Sequence, residues 1–156
     1  MWSIVIDNLS KSERSINMSK IKSKNTRPEM LVRKYLFSKG FRYRLHSSKL
    51  PGKPDIVLTK FNAVIMINGC FWHNHGCKYM RIPKTNSLYW EQKLGRNKER
   101  DEKNLRLLKK GQWRVLIVWE CAIKYSSDID IQRLLELIVH WITTDAPSTD
   151  FDKKML

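Results

Sequence analysis

The segment A-V-I-M-I-N-G-C-F-W-H-N-H-G-C, Ala63 to Cys77, limits the folds open to this chain more than any other. It begins as a short apolar run, Ala63 to Ile67, suited to a buried strand. Asn68-Gly69 breaks the run. Cys70, His75 and Cys77 then form the pattern C-x4-H-x-C, and Cys121 ends a second apolar run, W-R-V-L-I-V-W-E-C. Thiolate and imidazole are the ligands zinc prefers, and four of them close a tetrahedral structural site. Cysteines also serve as small buried hydrophobes, but here the only three in the chain fall at strand ends, two of them beside histidines. The spacing predicts a structural metal stapling two strand ends together. His73 and His75 compete for the fourth ligand position, and the one left over is free for chemistry.

Charge narrows the partner. Lys and Arg number 30 against 15 Asp and Glu, a formal net charge of +15. That excess points to a polyanion, foremost nucleic acid. No lipid-facing stripe and no run long enough to span a bilayer is present in the sequence, so a membrane is not the expected partner. Three cysteines without disulfide-framework spacing fit a reducing compartment, and the N-terminus lacks the pattern of a signal peptide. Cytoplasmic residence near the nucleoid is therefore expected, as a monomer.

Along the chain, residues 1–25 read as a basic arm, with a candidate short helix carrying Ile16, Met18 and Ile21. Residues 26–143 read as one catalytic domain and residues 144–156 as a flexible polar tail. Thr26-Arg27-Pro28-Glu29 is a capping box opening a helix to about Lys39, stopped by Gly40; on local grounds Glu29 has only a capping role. Phe41 to Leu45 alternates like a half-exposed strand. Pro51-Gly52-Lys53-Pro54 delivers Asp55 to the head of the apolar strand Ile56 to Leu58, which pairs back on Ala63 to Ile67 as a hairpin. Asp55 and Asn68 should therefore lie near one another.

A long helix is expected from Ser87, as its cap, to Lys110, with Leu94, Asn97, Asp101, Leu105 and Leu108 on one face. Asn97 and Asp101 then point inward. Trp113 to Trp119 is a further core strand, and Ser127-Asp128 caps a last helix with its stripe at Ile131, Leu134, Leu135, Ile138 and Ile142. The order helix, strands, helix, strand, helix predicts an α/β domain around a mixed central sheet flanked by helices.

A carboxylate at a strand head has a bland explanation in a turn hydrogen bond and a sharper one in a divalent cation. With an inward acid at Asp101, a spare imidazole and a cationic surface, the sharper reading is phosphodiester hydrolysis. A metal polarises the phosphate and a histidine takes the proton of water. Phe71 and Trp72, just before His73, could pack in the core or stack on bases.

The segments P-G-K-P-D (Pro51 to Asp55), N-G-C-F-W-H-N-H-G-C (Asn68 to Cys77), Tyr89-Trp90, N-K-E-R-D (Asn97 to Asp101) and W-R-V-L-I-V-W-E-C (Trp113 to Cys121) together resemble the very-short-patch-repair (Vsr) DNA mismatch endonucleases. R-S-I-N-M (Arg14 to Met18) and T-R-P-E (Thr26 to Glu29) fit as well. The resemblance implies a restriction-endonuclease-like fold with a structural Zn2+. It implies a Mg2+-dependent enzyme that nicks one strand of double-stranded DNA 5′ to the thymine of a T·G mismatch left by 5-methylcytosine deamination. Mismatch-repair proteins and a DNA polymerase for resynthesis would be partners.

By the same resemblance, Asp55 and the backbone carbonyl of Ile67 would hold magnesium, and His73 would be the general base. Asp101 would hold metal-bound water near Asn97, and Glu29 would sit close by. Cys70, His75, Cys77 and Cys121 would bind zinc. Phe71, Trp72 and Trp90 would form a wedge at the mismatch, with Met18 assisting from the other groove. Two positions depart from the family pattern, which has threonine at Ile67 and histidine at Asn68. An amide hydrogen-bonds but cannot shuttle a proton, which loads His73 more heavily. Competing functions are a restriction-type or sequence-specific nicking endonuclease, and a non-catalytic zinc module for DNA binding.

Overall fold

The computed structural model describes residues 10–156, so the first part of the expected basic arm lies outside the described residues. Helix α1 spans Lys11–Ser19 and opens with a capping box: Ser10 Oγ accepts from the Glu13 N–H, and the Glu13 carboxylate accepts from the Ser10 N–H. Ile16, Met18 and Ile21 are all exposed.

Helix α2, Arg27–Ser38, begins at Thr26, whose hydroxyl accepts from the Glu29 N–H. The Glu29 carboxylate does not complete a capping box. It accepts instead from the Asn25 N–H and turns inward, where it is 2% exposed. The purely capping role expected of Glu29 is therefore corrected. Gly40 then leaves the helix at φ +87°, a conformation that favours glycine.

Five strands follow, in the order β1 (Arg44–Leu45), β2 (Ile56–Leu58), β3 (Ala63–Asn68), β4 (Arg114–Trp119) and β5 (Thr149–Phe151). The first two pairings are antiparallel and the last two parallel. β1 is shorter than the alternation predicts: Phe41 and Tyr43 pack against the core but lie outside the ladder.

Side chains alternate across the sheet and divide the core in two. Ile56, Leu58, Ala63, Ile65, Leu116 and Val118 meet Val32 and Leu36 of α2 and Leu134, Leu135, Ile138 and Ile142 of α5 (Asp128–Thr143). Val57, Val64 and Val115 meet Leu105 and Leu108 of α3 (Ser87–Lys110) on the opposite face. Asn86, in a left-handed conformation and without a side-chain bond, stands at the cap of α3; the expected cap Ser87 is already inside the helix. A short helix, α4 (Cys121–Lys124), follows β4.

The C-terminal segment corrects the expectation of a loose tail. Its polarity concealed a strand, because a ladder is made by backbone and only Phe151 needs burial. β5 pairs with β4, Phe151 is buried, and Ser148 Oγ accepts from the Val115 N–H. The Arg114 guanidinium donates to the carbonyls of Trp141, Ile142, Thr144 and Ala146, closing the end of α5 and fixing the path into β5. Phe151→Ala should cost about 3 kcal/mol of stability in urea unfolding; a free tail would show no change.

Candidate active site and metal cluster

The same alternation positions the first group of functional residues. Asp55 shares the face of Val57, and Asn68 that of Val64, so both lie on the side covered by α3. A cleft of about 630 Å³ opens there, lined by His46, Asp55, Asn68, His73 and Asp101 among others. Lys24, Lys53 and Arg100 also line it and make it cationic.

Asp55 Oδ2 accepts from the Ile67 N–H at 2.7 Å. The hairpin register alone brings these two together. Burial pushes the Asp55 carboxyl above its ordinary range, against the Ile67 hydrogen bond; nearby Glu29 adds to the rise, and His46 and His73 oppose it. The side chain of Ile67 packs against the α2/α5 core, so an isoleucine in place of threonine leaves the backbone toward Asp55 unchanged.

Opposite, His73 Nδ1 lies 2.6 Å from Asp101 Oδ2. Burial opposes ionisation of Asp101, but the His73 hydrogen bond and charge, with help from Arg100, outweigh it and hold the carboxyl below its usual range. The second Asp101 oxygen accepts from Arg100. Asp101 is thus engaged by His73 and Arg100. Asn97, expected beside it, donates to the Trp72 carbonyl at 3.0 Å and anchors the loop.

One participant escaped the sequence reading. His46 lies between two acids, Nε2 3.0 Å from Glu29 Oε1 and Nδ1 3.5 Å from Asp55 Oδ1. Glu29, His46 and Asp55 each offer a ligand atom, all within 4.8 Å of one another. Its only signal in sequence was a histidine placed between a strand and a Pro-Gly turn.

On the far side of the loop, Cys70, His75, Cys77 and Cys121 offer ligand atoms within 4.8 Å of one another. Cys121 Sγ and His75 Nδ1 are 3.8 Å apart, close to the edge of about 3.6 Å of a tetrahedron with zinc bond lengths. The donor set fits a closed tetrahedral metal site. His75, not His73, joins it. Burial pushes the Cys70 and Cys121 thiols up, so deprotonation there calls for a cation.

The C-terminal strand supports this cluster. His75 Nε2 lies 3.5 Å from Asp152 Oδ2, the outer carboxylate that commonly fixes a ligating imidazole. His75 also stacks on Trp119 at 3.9 Å, and Trp119 Nε1 donates to Asp150 Oδ2.

Between cleft and cluster stand the aromatics. Phe71 lies 5.0 Å from Trp72 and 5.3 Å from Trp90, edge to face. All three are half-buried rather than core residues, and Lys93 lies over both tryptophans. Met18 remains exposed on α1, outside the apolar clusters of the described residues.

A carboxylate-oriented imidazole and a half-buried acid lining one cationic cleft are the equipment of a hydrolytic nuclease. Comparison with known proteins agrees. Residues 6–79 match the family model described as DNA mismatch endonuclease Vsr. The chain is 37% identical over 142 residues to the DNA mismatch endonuclease Vsr of Escherichia coli, covering 91% of each. It is 50% identical over 127 residues to the Type II nicking enzyme V.NmeAIP of Neisseria meningitidis, covering 81% of this chain and 90% of that protein. The Type II nicking enzyme V.XorIIP of Xanthomonas oryzae is 44% identical over 117 residues, covering 75% and 86%. The chain belongs to the Vsr family, and it is a DNA endonuclease.

Two outcomes test this geometry. The folded Asp55 pKa is raised, so the stability it contributes is present below the unfolded value, about 3.9, and lost as pH rises through the folded one. Asp55→Asn, neutral throughout, should melt above the wild type at pH 7 without divalent metal, the gap closing towards pH 4. Added magnesium should raise the melting point of the wild type only. Asp152→Asn should weaken cluster affinity about tenfold, read by cobalt(II) or zinc(II) competition with a chromophoric chelator; unchanged affinity would remove the carboxylate from the site.

Proposed function

We propose that this endonuclease nicks one strand of duplex DNA 5′ to the thymine of a T·G mismatch, by Mg2+-dependent hydrolysis, in very short patch repair. The observation that carries it is that Asp55 and the His73–Asp101 pair line one cationic cleft, beside a half-buried aromatic cluster. The fold is read as restriction-endonuclease-like, with residues 26–143 and the strand β5 as its catalytic body and the basic segment before them as a DNA-contacting arm. The protein acts as a monomer in the cytoplasm, at the nucleoid. Mismatch-repair proteins and a resynthesising polymerase act after it.

Asp55 would hold magnesium with the carbonyl of Ile67, which an extended strand turns to the same edge as the N–H bonded to Asp55. The ion, when bound, polarises the phosphate and stabilises the leaving oxygen. His73, with Nδ1 taken by Asp101, keeps Nε2 free to accept a proton from the attacking water. Asp101 fixes the ring's orientation and tautomer and balances the charge it gains. Asn68 lines the cleft as a hydrogen-bonding group. Lys24, Lys53 and Arg100 receive the backbone phosphates. Zinc in the Cys70–His75–Cys77–Cys121 set would clamp the loop that carries His73.

Phe71, Trp72 and Trp90 enter the duplex at the mispair, where unstacking costs least. Lys93 above the tryptophans places a cation at the same point. The relatives named as nicking enzymes favour a second reading, a nick directed by sequence context in a restriction system.

Labelled duplexes carrying T·G or T·A at the centre of varied contexts decide between the two: nicking confined to T·G supports the first, and equal nicking of paired duplexes the second. Asp55→Ala should abolish the magnesium-dependent nick with duplex binding near normal. His73→Ala should slow it about 10²- to 10⁴-fold. Trp72→Ala should reduce discrimination for T·G more than general affinity; uniform loss would return Trp72 to a packing role.

A further inference from the structure

His46 stands outside every motif that carried the family resemblance, yet it touches the carboxylate assigned to magnesium. Its backbone explains how it gets there. The His46 N–H donates to the Asp55 carbonyl at 3.2 Å, extending the β1–β2 ladder by one bond. His46 then takes φ +46°, a left-handed conformation unfavourable for a residue with a Cβ. The turn swings the ring into the cleft, where the side chain is 15% exposed.

The ring reaches two acids at once. Glu29 is itself held by two hydrogen bonds, Oε2 accepting from the Asn25 N–H at 2.7 Å and Oε1 from Arg33 Nη1 at 3.2 Å; His46 Nε2 lies 3.0 Å from Oε1 as a close contact without hydrogen-bond geometry. Asp55 has Oδ2 fixed by the Ile67 N–H, and Oδ1 is the oxygen 3.5 Å from His46 Nδ1. His46 is thus within reach of the Asp55 oxygen that the Ile67 N–H does not fix. At position 68, where the family pattern has histidine, this chain has a buried asparagine.

We propose that His46 is a positioning residue of the nicking site: braced on Glu29, it sets the orientation of the Asp55 carboxylate and thereby the affinity of the cleft for a divalent cation. This rests on the reading of Asp55 as the magnesium ligand. His46 does not carry the proton of the reaction in this role, which belongs to His73. A brace of this kind acts on cation affinity and leaves the rate at saturating cation largely intact, because the filled site then holds the same ion on Asp55 and the proton still goes to His73. Outer groups that orient a metal ligand change metal affinity about 10- to 100-fold when removed.

The experiment compares wild type, His46→Ala and His46→Gln in the full-length, zinc-loaded protein. Manganese(II) binding, followed by electron paramagnetic resonance without DNA, is read beside the magnesium dependence of nicking. Melting temperature and zinc content confirm the fold. His46→Ala is expected to weaken Mn2+ binding at the cleft, and to raise the magnesium concentration for half-maximal nicking, about 10-fold or more. His46→Gln, which keeps a donor of similar reach, should recover most of that loss.

Unchanged cation affinity in His46→Ala overturns the proposal, as does a glutamine variant no better than alanine. A loss of rate at saturating magnesium without a change in affinity also overturns it, in favour of a direct chemical role. A wild type that binds Mn2+ through Asp55 and His46 but nicks no mismatched duplex would fail the functional reading alone. Should His46→Ala not fold, the glutamine variant carries the test, since a side chain that restores fold but not cation affinity sinks the brace.

Discussion

The register between β3 and β4 is the constraint on which the rest depends. Asn68 stands opposite Trp119, and the Glu120 N–H donates to the Asn68 carbonyl at 2.9 Å as the two parallel strands end together. Cys70 and Cys121 leave the sheet just beyond that pair, so the ladder delivers two thiols to one place. The loop must then fold back for His75 and Cys77 to join them. It does so through bonds from the His73, Asn74 and His75 N–H groups to the carbonyls of Gly69, Phe71 and Cys70. His73 lies within that turn and lines the cleft, while Cys70 and His75 on either side of it join the thiol and imidazole cluster.

Left-handed backbone recurs at turns and caps through the fold, at Asn25, Asn62, Asn86 and Gln112, and the cleft and its loop have their share. Non-glycine residues with positive φ include His46, Lys53 and Asn74, each beside or within the cleft and its loop. Asp55 is burdened as well, with burial raising its pKa and Glu29 nearby raising it further. Such a group destabilises the fold at neutral pH, a cost that a cation held there, as proposed, would relieve. Across the cleft Asp101 is held ionised against the His73 ring. Burial raises one acid while the His73 and Arg100 contacts lower the other, a contrast that suits the proposed division into a cation site on one wall and a base on the other.

Sequence patterns carried most of the fold because its elements are locally consistent. Short apolar runs gave β2, β3 and β4, the 3.6-residue stripes gave α2, α3 and α5, and Ser127 and Thr26 stand as caps where the capping rules place them. What slipped was structure made by backbone at a distance. β5 holds one apolar side chain that needs burial, Phe151, and β1 has none. Glu29 looked like a capping residue because its local pattern is complete; its burial beneath His46 comes from the packing of α2 against the sheet edge.

By itself, then, the chain determined which residue types would be present: a thiol and imidazole set with metal-like spacing, an acid at a strand head, an inward-facing acid on a helix, and a large positive charge. Those are properties of composition and short-range period, which neighbours in sequence fix. Only the tertiary structure decided which histidine serves which site. His73 and His75 are two residues apart and chemically identical, and it is the position of Asp101 on one side and Cys121 on the other that separates them. His46 and the Asp150–Asp152 pair likewise acquire their partners only when remote strands pair, because a hydrogen bond depends on distance in space and not along the chain.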